Sequence, residues 1–171
     1  MPNIILVNRD YLDANALKNA TTYVMRLGII GGYAIDPNHA YDQMMLIKTA
    51  FHKTEGVQLK HFVVTFSTRE LYRLDFDDIL NLGFQIGKFF GEYQMVYGVH
   101  YDTDHFHLHC ALNTVSFVDG HKYCDGLSGF WELKKMLQQL FPRSYVNIFR
   151  SFPGTINEYS FTDEDYLLQI G

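Results

Sequence analysis

Cysteine is scarce in this chain of 171 residues, which contains only Cys110 and Cys124. Two cysteines at this spacing fit neither a disulfide framework nor a zinc ribbon. Long hydrophobic runs are missing as well, so the sequence predicts no transmembrane helix and no insertion into a membrane. The N-terminal residues MPNIILVNRDYL lack the basic segment and the small-residue cleavage site of a secretory signal. Together these absences predict a reduced, cytoplasmic protein.

Basic residues are also few, since the chain has 14 Lys and Arg against 19 Asp and Glu and a formal net charge of −5. Residues 1–150 contain all 14 bases and 15 of the acids, whereas residues 151–171 contain four acids and no base. This balance is not the strongly basic footprint of a protein that binds nucleic acid mainly through phosphates. It predicts a domain over residues 1–150 and an acidic C-terminal extension over residues 151–171. The pattern allows a helix in that extension and a link to further domains.

The remaining composition is typical of a folded domain, with 47% hydrophobic and 16% aromatic residues. Apolar spacing and cap residues predict helices over about residues 13–27, 36–53, 75–91 and 128–141. Strands are predicted at residues 3–7, 29–35, 61–67, 93–101, 105–118 and 144–150. Asp119-Gly120 predicts a hairpin turn into a short strand at 121–124. This interleaving indicates an α+β fold with a largely antiparallel sheet.

Histidine is concentrated in the stretch GVHYDTDHFHLHCALN (98–113), which holds four of the eight histidines. Side chains alternate faces along a strand, so His105, His107 and His109 share one face and the intervening apolar residues share the other. Folding this strand against the preceding one, through the connection DTD, brings His100 towards His107 and His109. Asp102 is placed to orient an imidazole. Three neutral imidazoles suit Mn, Zn, Co or Ni better than Ca and leave positions open for a substrate. The alternative is a solvent-facing strand with incidental histidines.

The same stretch resembles the third motif of the relaxases, the mobilisation nucleases of conjugative and mobilisable plasmids within the HUH endonuclease superfamily. The motif H-x-D-x-D-H-x-H-x-H-x-x-x-N is filled by the following residues: His100, Asp102, Asp104, His105, His107, His109 and Asn113. HFVVTFSTRE (61–70) resembles the second motif, and IDPNHAYDQMMLIKTAF (35–51) and NTVSFVDGHKY (113–123) resemble flanking segments. The resemblance covers roughly residues 20–125 and implies the HUH fold, in which helices pack on a central antiparallel sheet of about five strands and the metal site is exposed on one side.

The resemblance implies a metal-dependent, site- and strand-specific endonuclease that nicks one DNA strand at a plasmid transfer origin. A tyrosine hydroxyl attacks the scissile phosphate and gives a 5′-phosphotyrosyl intermediate and a free 3′-OH. The implied metal ligands are His100, His107 and His109, with Mn²⁺ or Mg²⁺ as the expected ion and other transition metals as alternatives. The implied partners are single-stranded DNA at the transfer origin and accessory DNA-binding proteins.

The family places its nucleophile on the first helix, in a segment that NATTYVMR (19–26) resembles, so Tyr23 is the predicted nucleophile. Tyr11 and Tyr33 are the weaker candidates. The segment after Tyr23 departs from the family, because Arg26 is its only base where a lysine is usual. Tyr23 also lies on the apolar stripe of its helix and fits a core position. Asp102 is predicted to orient a ligand histidine or to influence the tyrosine proton.

Smaller predictions concern residues near the motifs. Four residues are candidates for contacts to substrate or for support of the ligands: His61, Thr65, His105 and Asn113. Eight basic residues are candidates for a DNA path, although the sequence does not show that they share a face: Lys53, Lys60, Arg69, Arg73, Lys122, Lys134, Lys135 and Arg143. Two other functions stay open, namely another HUH-type enzyme such as a replication initiator or transposase, and a non-nuclease histidine-rich metal-binding protein.

Overall fold

Six strands and five α-helices make up the part of the chain that the computed structural model describes, which is residues 2–124 and 126–151. The strands are β1 (Asn3–Val7), β2 (Ile30–Tyr33), β3 (Leu59–Thr65), β4 (Met95–His100), β5 (His107–Asn113) and β6 (Asn147–Ser151). The helices are α1 (Ala14–Val24), α2 (Ala40–Ala50), α3 (Thr68–Leu71), α4 (Phe76–Phe90) and α5 (Gly126–Leu140), and a 3₁₀ turn at Pro37–His39 precedes α2. The helix that the sequence pattern allows in the acidic extension, at residues 161–170, lies outside the described residues.

The strands form one sheet in the order β2-β4-β5-β3-β1-β6. The pairs β2–β4, β4–β5, β3–β5 and β1–β3 are antiparallel, and β6 joins the edge parallel to β1. The predicted α+β fold with a central antiparallel sheet is therefore confirmed, with a sixth strand added in parallel. No helix among the described residues is long and apolar enough to cross a membrane.

The two faces of the sheet carry different cores because strand side chains alternate. On one face, β5 contributes Leu108, Cys110 and Leu112 to the largest apolar cluster, which α4 and α5 cover. On the other face, α1 and α2 pack against a smaller cluster that includes Val96 and Ala111. The motif histidines of β5 alternate with the first set, so they point to the face that α1 covers.

Helix α4 forms where the sequence predicts it because both of its ends are specified. Asp75 accepts a hydrogen bond from the Asp78 amide, and the Asp78 carboxylate accepts one from the Asp75 amide, which makes a reciprocal cap. Gly91 follows the last turn with φ +68°, a conformation that favours glycine. The inward residues Ile79, Leu82 and Ile86 are spaced for one helical face and are buried.

The predicted hairpin after Asp119-Gly120 does not form as a strand pair. Only an isolated bridge joins Val115 to Lys122, although Gly120 does turn the chain with φ +76°. The reason is local, because the Ser116 hydroxyl accepts hydrogen bonds from the amides of Val118 and Asp119. These bonds satisfy amide groups within the loop that a strand ladder would otherwise use.

Gly98 fixes the distance between α1 and the sheet. A Cβ atom at this position would lie 2.1 Å from the carbonyl oxygen of Val24, which is backbone and has no rotamer to change. We expect Gly98→Ala to lower the free energy of unfolding by about 3 kcal/mol, the upper part of the range for overpacking. Urea denaturation measures this, and Thr22→Ala on the exposed side of α1 is a control that should stay within about 0.5 kcal/mol of wild type. A Gly98→Ala protein as stable as wild type would contradict the packing described.

Lys48 on α2 is fully buried, and its Nζ donates to the Gln58 carbonyl at 2.7 Å and to the Thr114 hydroxyl at 3.4 Å. Burial, and then the charge of Lys122, lower the pKa of Lys48 from 10.5 to about 7. Below about pH 7 both the folded and the unfolded chain carry this proton, so the folded state bears the full cost of the buried charge. Between about pH 7 and 10.5 only the unfolded chain still holds it, so stability rises with pH.

Replacement of Lys48 by Met should therefore stabilise the protein most at pH 6 to 7 and progressively less as the pH rises. The stability difference between variant and wild type should shrink by roughly 2–5 kcal/mol between pH 7 and 10. Denaturant unfolding of both proteins across this range measures it, with the exposed Lys53→Met as the matched control. A difference that is constant with pH would show that Lys48 titrates normally.

Candidate functional site

The three histidines of the predicted metal site lie side by side on β4 and β5. His100 pairs with His107 across the two strands, and Gly98 pairs with His109. The rings of His100 and His109 are stacked with centroids 4.0 Å apart, and those of His107 and His109 are 6.4 Å apart. The register thus places the three imidazoles together on one face of the sheet, as the strand periodicity predicts. We call His100, His107 and His109 the histidine patch.

These imidazoles are buried, whereas the resemblance implied a site exposed on one side. His100, His107 and His109 are each 2% exposed. The correction has a simple cause, because α1 crosses this face and its last turn touches β4 at Gly98. A strand pattern cannot show which helix covers a polar face. Because α1 covers the histidines, a ligand must pass α1 to reach them.

Tyr23 is the residue of α1 that meets this patch. Its ring is edge-on to His100 with centroids 5.1 Å apart, to His109 at 5.4 Å and to His61 at 6.1 Å. The residue is half-buried, so its ring packs against the imidazoles without being enclosed. Tyr23 thus contacts one histidine on each of β3, β4 and β5, which places a phenol group beside the histidine patch.

Arg26 and Asp102 form an ion pair at the rim, and Arg26 lies over the Tyr23 ring at 5.2 Å. The Arg26 guanidinium also interacts with the Tyr23 side chain. Partial burial opposes ionisation of Asp102, but the hydrogen bond and charge of Arg26 outweigh it and hold its pKa below the usual value. Asp102 therefore orients an arginine rather than accepting a hydrogen bond from His100. Since 76 positions separate the pair, no local pattern predicts it.

The imidazoles are held by hydrogen bonds on their outer sides. His100 donates from Nε2 to the Val24 carbonyl at 3.0 Å, which leaves the lone pair on Nδ1 because a carbonyl only accepts. His61 on β3 joins His109 through an Nε2–Nδ1 hydrogen bond of 3.1 Å, and its Nδ1 meets the Tyr11 hydroxyl at 2.8 Å. The result is a buried chain of Tyr11, His61 and His109 leading to the patch.

Burial keeps these rings neutral. Desolvation, and then neighbouring positive groups, lower the pKa of His61 to about 3 and that of His109 well below its usual value. For His100, desolvation lowers the pKa despite the opposing hydrogen bond to Val24. Neutral imidazole is the form that ligates metal ions, so the donor set fits a divalent transition metal.

The ring nitrogens are nevertheless not arranged around one common point. Across residues 2–124 and 126–151, one group of three metal-ligating residues has its ligand atoms within 4.8 Å of one another, and it consists of Glu92, Asp119 and His121. That group is exposed, with Glu92 between α4 and β4 and Asp119 and His121 in the loop that follows β5. Two of its members already pair, since His121 Nδ1 meets the Asp119 carboxylate at 2.8 Å. The histidine patch thus fits a metal by the chemistry of its donors, and its rings must rotate to bring three nitrogens to one ion.

The remaining predicted residues take different places. Thr65 pairs with His107 in the β3–β5 register and lies beside the patch. His105 comes just before β5 and is half-buried, with its carbonyl bound by the Thr103 hydroxyl. Asn113 lies six residues along β5 from His107, about 20 Å away, and donates to Gln94 at 3.1 Å. The structure thus brings Thr65 to the site and leaves Asn113 at the far end of the strand.

A cavity of about 270 Å³ opens beside Tyr23 and includes Arg9 and Asn19, two residues that the sequence did not point to. Its lining includes Arg9, Tyr11, Asn19 and His61. The Arg9 guanidinium lies over the Tyr11 ring at 5.5 Å. Arg9 and Tyr11 belong to the loop between β1 and α1, where no periodic pattern marks a side chain as functional. A cavity with a cation and aromatic rings next to a phenol suits one nucleotide.

Of the two weaker tyrosine candidates, Tyr11 reaches the site and Tyr33 does not. The Tyr11 hydroxyl is buried and engaged with His61. The Tyr33 hydroxyl donates to the Gly91 carbonyl at the end of α4, on the other side of β2. Tyr23 is thus the candidate whose ring contacts His100 and His109, and it borders the same cavity as Tyr11.

Comparison with known proteins agrees with this architecture. Two Mn-bound crystal structures of the MobM relaxase domain in complex with plasmid pMV158 oriT DNA resemble the fold. One has a TM-score of 0.55 at 11% sequence identity and the other 0.53 at 15%, and each match covers 98% of both chains. No curated protein sequence matches the chain. The family model described as "Relaxase: MobA/VirD2-like, nuclease domain" matches residues 14–143, which include every motif discussed above. The chain therefore belongs to the MobA/VirD2-like relaxases, through their nuclease domain.

Proposed function

We propose that this protein nicks one strand of DNA at a plasmid transfer origin and so initiates mobilisation. The observation that carries the proposal is the position of Tyr23, whose ring packs against His61, His100 and His109 in a relaxase nuclease domain. The MobM relaxase domain, which shares the fold, is bound to oriT DNA in its crystal structures. A single strand laid over α1 would reach the cavity beside this tyrosine.

In the proposed reaction the Tyr23 hydroxyl oxygen attacks the scissile phosphorus. A bond forms between that oxygen and phosphorus and the bond from phosphorus to the 3′ oxygen breaks. The tyrosine proton passes to solvent, and the departing 3′ oxygen takes up a proton from solvent. The products are a 5′-phosphotyrosyl linkage and a strand with a free 3′-OH. Arg26 contributes positive charge beside the phenolate and the phosphate, where negative charge accumulates. Asp102 keeps Arg26 in this position through their ion pair.

His100, His107 and His109 are the residues proposed to hold Mn²⁺ or Mg²⁺, and Mn is the ion in the crystal structures of the MobM domain. When bound, the metal supplies Lewis-acid polarisation of the phosphate. His61 supports the ligands by setting a tautomer. If His61 accepts at Nε2 from His109 Nδ1–H and donates from Nδ1 to the Tyr11 oxygen, the lone pair of His109 is left on Nε2.

The polarity of the covalent product tests this proposal. Single-stranded DNA from a pool of candidate origin sequences is labelled at either the 3′ or the 5′ end and incubated with the protein and Mn²⁺. We expect protein that resists denaturation to retain the 3′ label and to release the 5′-labelled fragment, because the tyrosine holds the 5′ phosphate. Chelation of the metal before the DNA is added should prevent the adduct from forming. Retention of the 5′ label, or an adduct formed equally well on duplex DNA, would contradict the proposed reaction.

A further inference from the structure

Three arginines converge on a second cavity, of about 310 Å³, away from the histidine patch. Arg69 and Arg73 enter it from α3 and the turn that follows, and Arg143 enters from the segment between α5 and β6. Apolar side chains line the rest of its wall, among them Leu74, Leu140 and Phe141. We call this cavity, with its three arginines, the arginine pocket. An apolar wall with cations at its rim suits a ligand that is partly aromatic and partly anionic.

Among residues 2–124 and 126–151, no ion pair neutralises the charges of the arginine pocket. Glu70 is the acidic residue in the lining of the cavity. Its carboxylate accepts hydrogen bonds from the Ser67 amide and hydroxyl and from the Ser144 hydroxyl. Burial opposes ionisation of Glu70, yet these bonds outweigh it and lower its pKa. Within the described part of the chain, no ion pair joins any of the three arginines to an acid. Three unpaired guanidinium groups in one place favour an anionic ligand.

Exposed aromatic side chains flank the arginine pocket. Tyr72, between two of the arginines in the chain, is 86% exposed, and Tyr145 is 62% exposed. Trp131 on α5 is 52% exposed, and the Lys134 ammonium lies 5.1 Å from both the Trp131 and the Tyr145 rings. Aromatic rings this exposed add little to the hydrophobic core, so packing of the fold does not account for their presence. Cations interleaved with open aromatic faces are typical of surfaces that bind single-stranded nucleic acid through phosphates and stacked bases.

The arginine pocket and the histidine patch lie at the same end of the strands, the pocket on the side that α4 and α5 cover and the patch on the side that α1 covers. His107 pairs with Thr65, Thr65 pairs with Asn3, and Asn3 pairs with Asn147, so these residues mark one end of four neighbouring strands. Arg69 follows Thr65 by four positions and Arg143 precedes Asn147 by four. Adjacent strands are about 4.8 Å apart, so the edge from β5 to β6 measures about 15 Å. A DNA strand that joins the two sites must cover this width and also turn around the end of the sheet from one side to the other.

We propose that the arginine pocket binds unpaired nucleotides of the DNA strand that is cut, a few positions from the scissile phosphate. The arginines bind phosphates, and Tyr72 and Tyr145 stack on bases. This rests on the proposed nicking function and adds to it the place where the protein holds its substrate. It also reconciles an acidic chain of net charge −5 with DNA binding, because the positive charge is gathered where the strand lies.

The arginine pocket is tested without the metal by titrating a fluorescent oligothymidylate of about 15 nucleotides with the protein in EDTA. Fluorescence anisotropy measures the binding. Replacement of Arg69, Arg73 and Arg143 by Gln together should weaken binding and reduce the slope of log affinity against log salt by about 2, since each phosphate contact contributes about 0.7. Lys88→Gln, an exposed cation on α4, is the control and should change affinity little. Tyr72→Ala should weaken binding by about 5- to 100-fold, and Leu46→Ala on α2 should not.

The outcomes separate this inference from the proposed function. If the triple arginine variant and Tyr72→Ala bind the oligothymidylate as tightly as wild type, the proposal that the arginine pocket binds DNA is overturned. The covalent adduct would still support nicking. Variants that lose duplex binding but keep oligothymidylate binding would also overturn it. A wild-type protein that neither binds the oligothymidylate nor forms an adduct would overturn both. Loss of single-strand binding in both variants, with normal unfolding curves and unchanged controls, is the result that we expect.

Discussion

Tyr23→Phe should lower formation of the covalent protein–DNA adduct by about a thousandfold or more, because it removes the oxygen that attacks phosphorus. The ring and its edge-on contacts with His100 and His109 remain, so the variant keeps the packing of α1 on the sheet. Its free energy of unfolding should therefore lie within about 1 kcal/mol of wild type. Single-strand binding should stay close to normal.

Two tyrosine variants serve as controls for this loss. Tyr33→Phe removes a hydroxyl that donates to Gly91 far from the site, and we expect full adduct formation. Tyr11→Phe breaks the hydrogen bond to His61, so it should slow the reaction without abolishing it. Gel separation of adduct and free protein under denaturing conditions measures all three variants. An active Tyr23→Phe protein, or an inactive Tyr33→Phe protein, would show that the nucleophile has been assigned wrongly.

His107→Ala should weaken Mn²⁺ binding by more than about 100-fold, because even residues that only orient metal ligands contribute about 10- to 100-fold. DNA cleavage should fall with it. His107 is 2% exposed, so the truncation also leaves a small void and should cost about 1–2 kcal/mol of stability. His107 Nδ1 lies 3.3 Å from the Thr103 hydroxyl, and the truncation removes this hydrogen bond as well.

Titration calorimetry with Mn²⁺ alone measures this effect apart from catalysis. His121→Ala is the matched control, because it disrupts the exposed group of Glu92, Asp119 and His121, the other arrangement of ligand atoms in the structure. We expect one strong site per chain, lost in His107→Ala and kept in His121→Ala. The reverse result would move the metal to the exposed group and remove it from the proposed reaction.

Much of the fold follows from local signals in the sequence. The spacing of apolar residues and the caps at Asp75 and Gly91 specify α4, and they predict its ends within a residue. Alternation along β5 places Leu108 in the core and His107 and His109 on the opposite face, as observed. These features are predictable because they depend on neighbours within one turn or along one strand.

The features that the sequence did not predict depend on distant residues. The burial of His107 and His109 requires α1 to cross the sheet, which strand periodicity does not encode. The ion pair of Arg26 with Asp102 joins segments that only the tertiary fold brings together. A motif spacing likewise does not report direct distance, so Asn113 lies about 20 Å from His107 although both belong to one motif.

Peptide mapping of the covalent adduct shows directly whether Tyr23 is the residue that attacks the DNA. Trypsin cleaves after Lys18 and Arg26, so Tyr23 is the only tyrosine in the peptide NATTYVMR (19–26). Tyr11, Tyr33 and Tyr145 fall in other tryptic peptides. We expect mass spectrometry to find the nucleotide remnant on the peptide of residues 19–26 and the fragment ions to assign it to Tyr23. A remnant on any other peptide would show that Tyr23 is not the nucleophile.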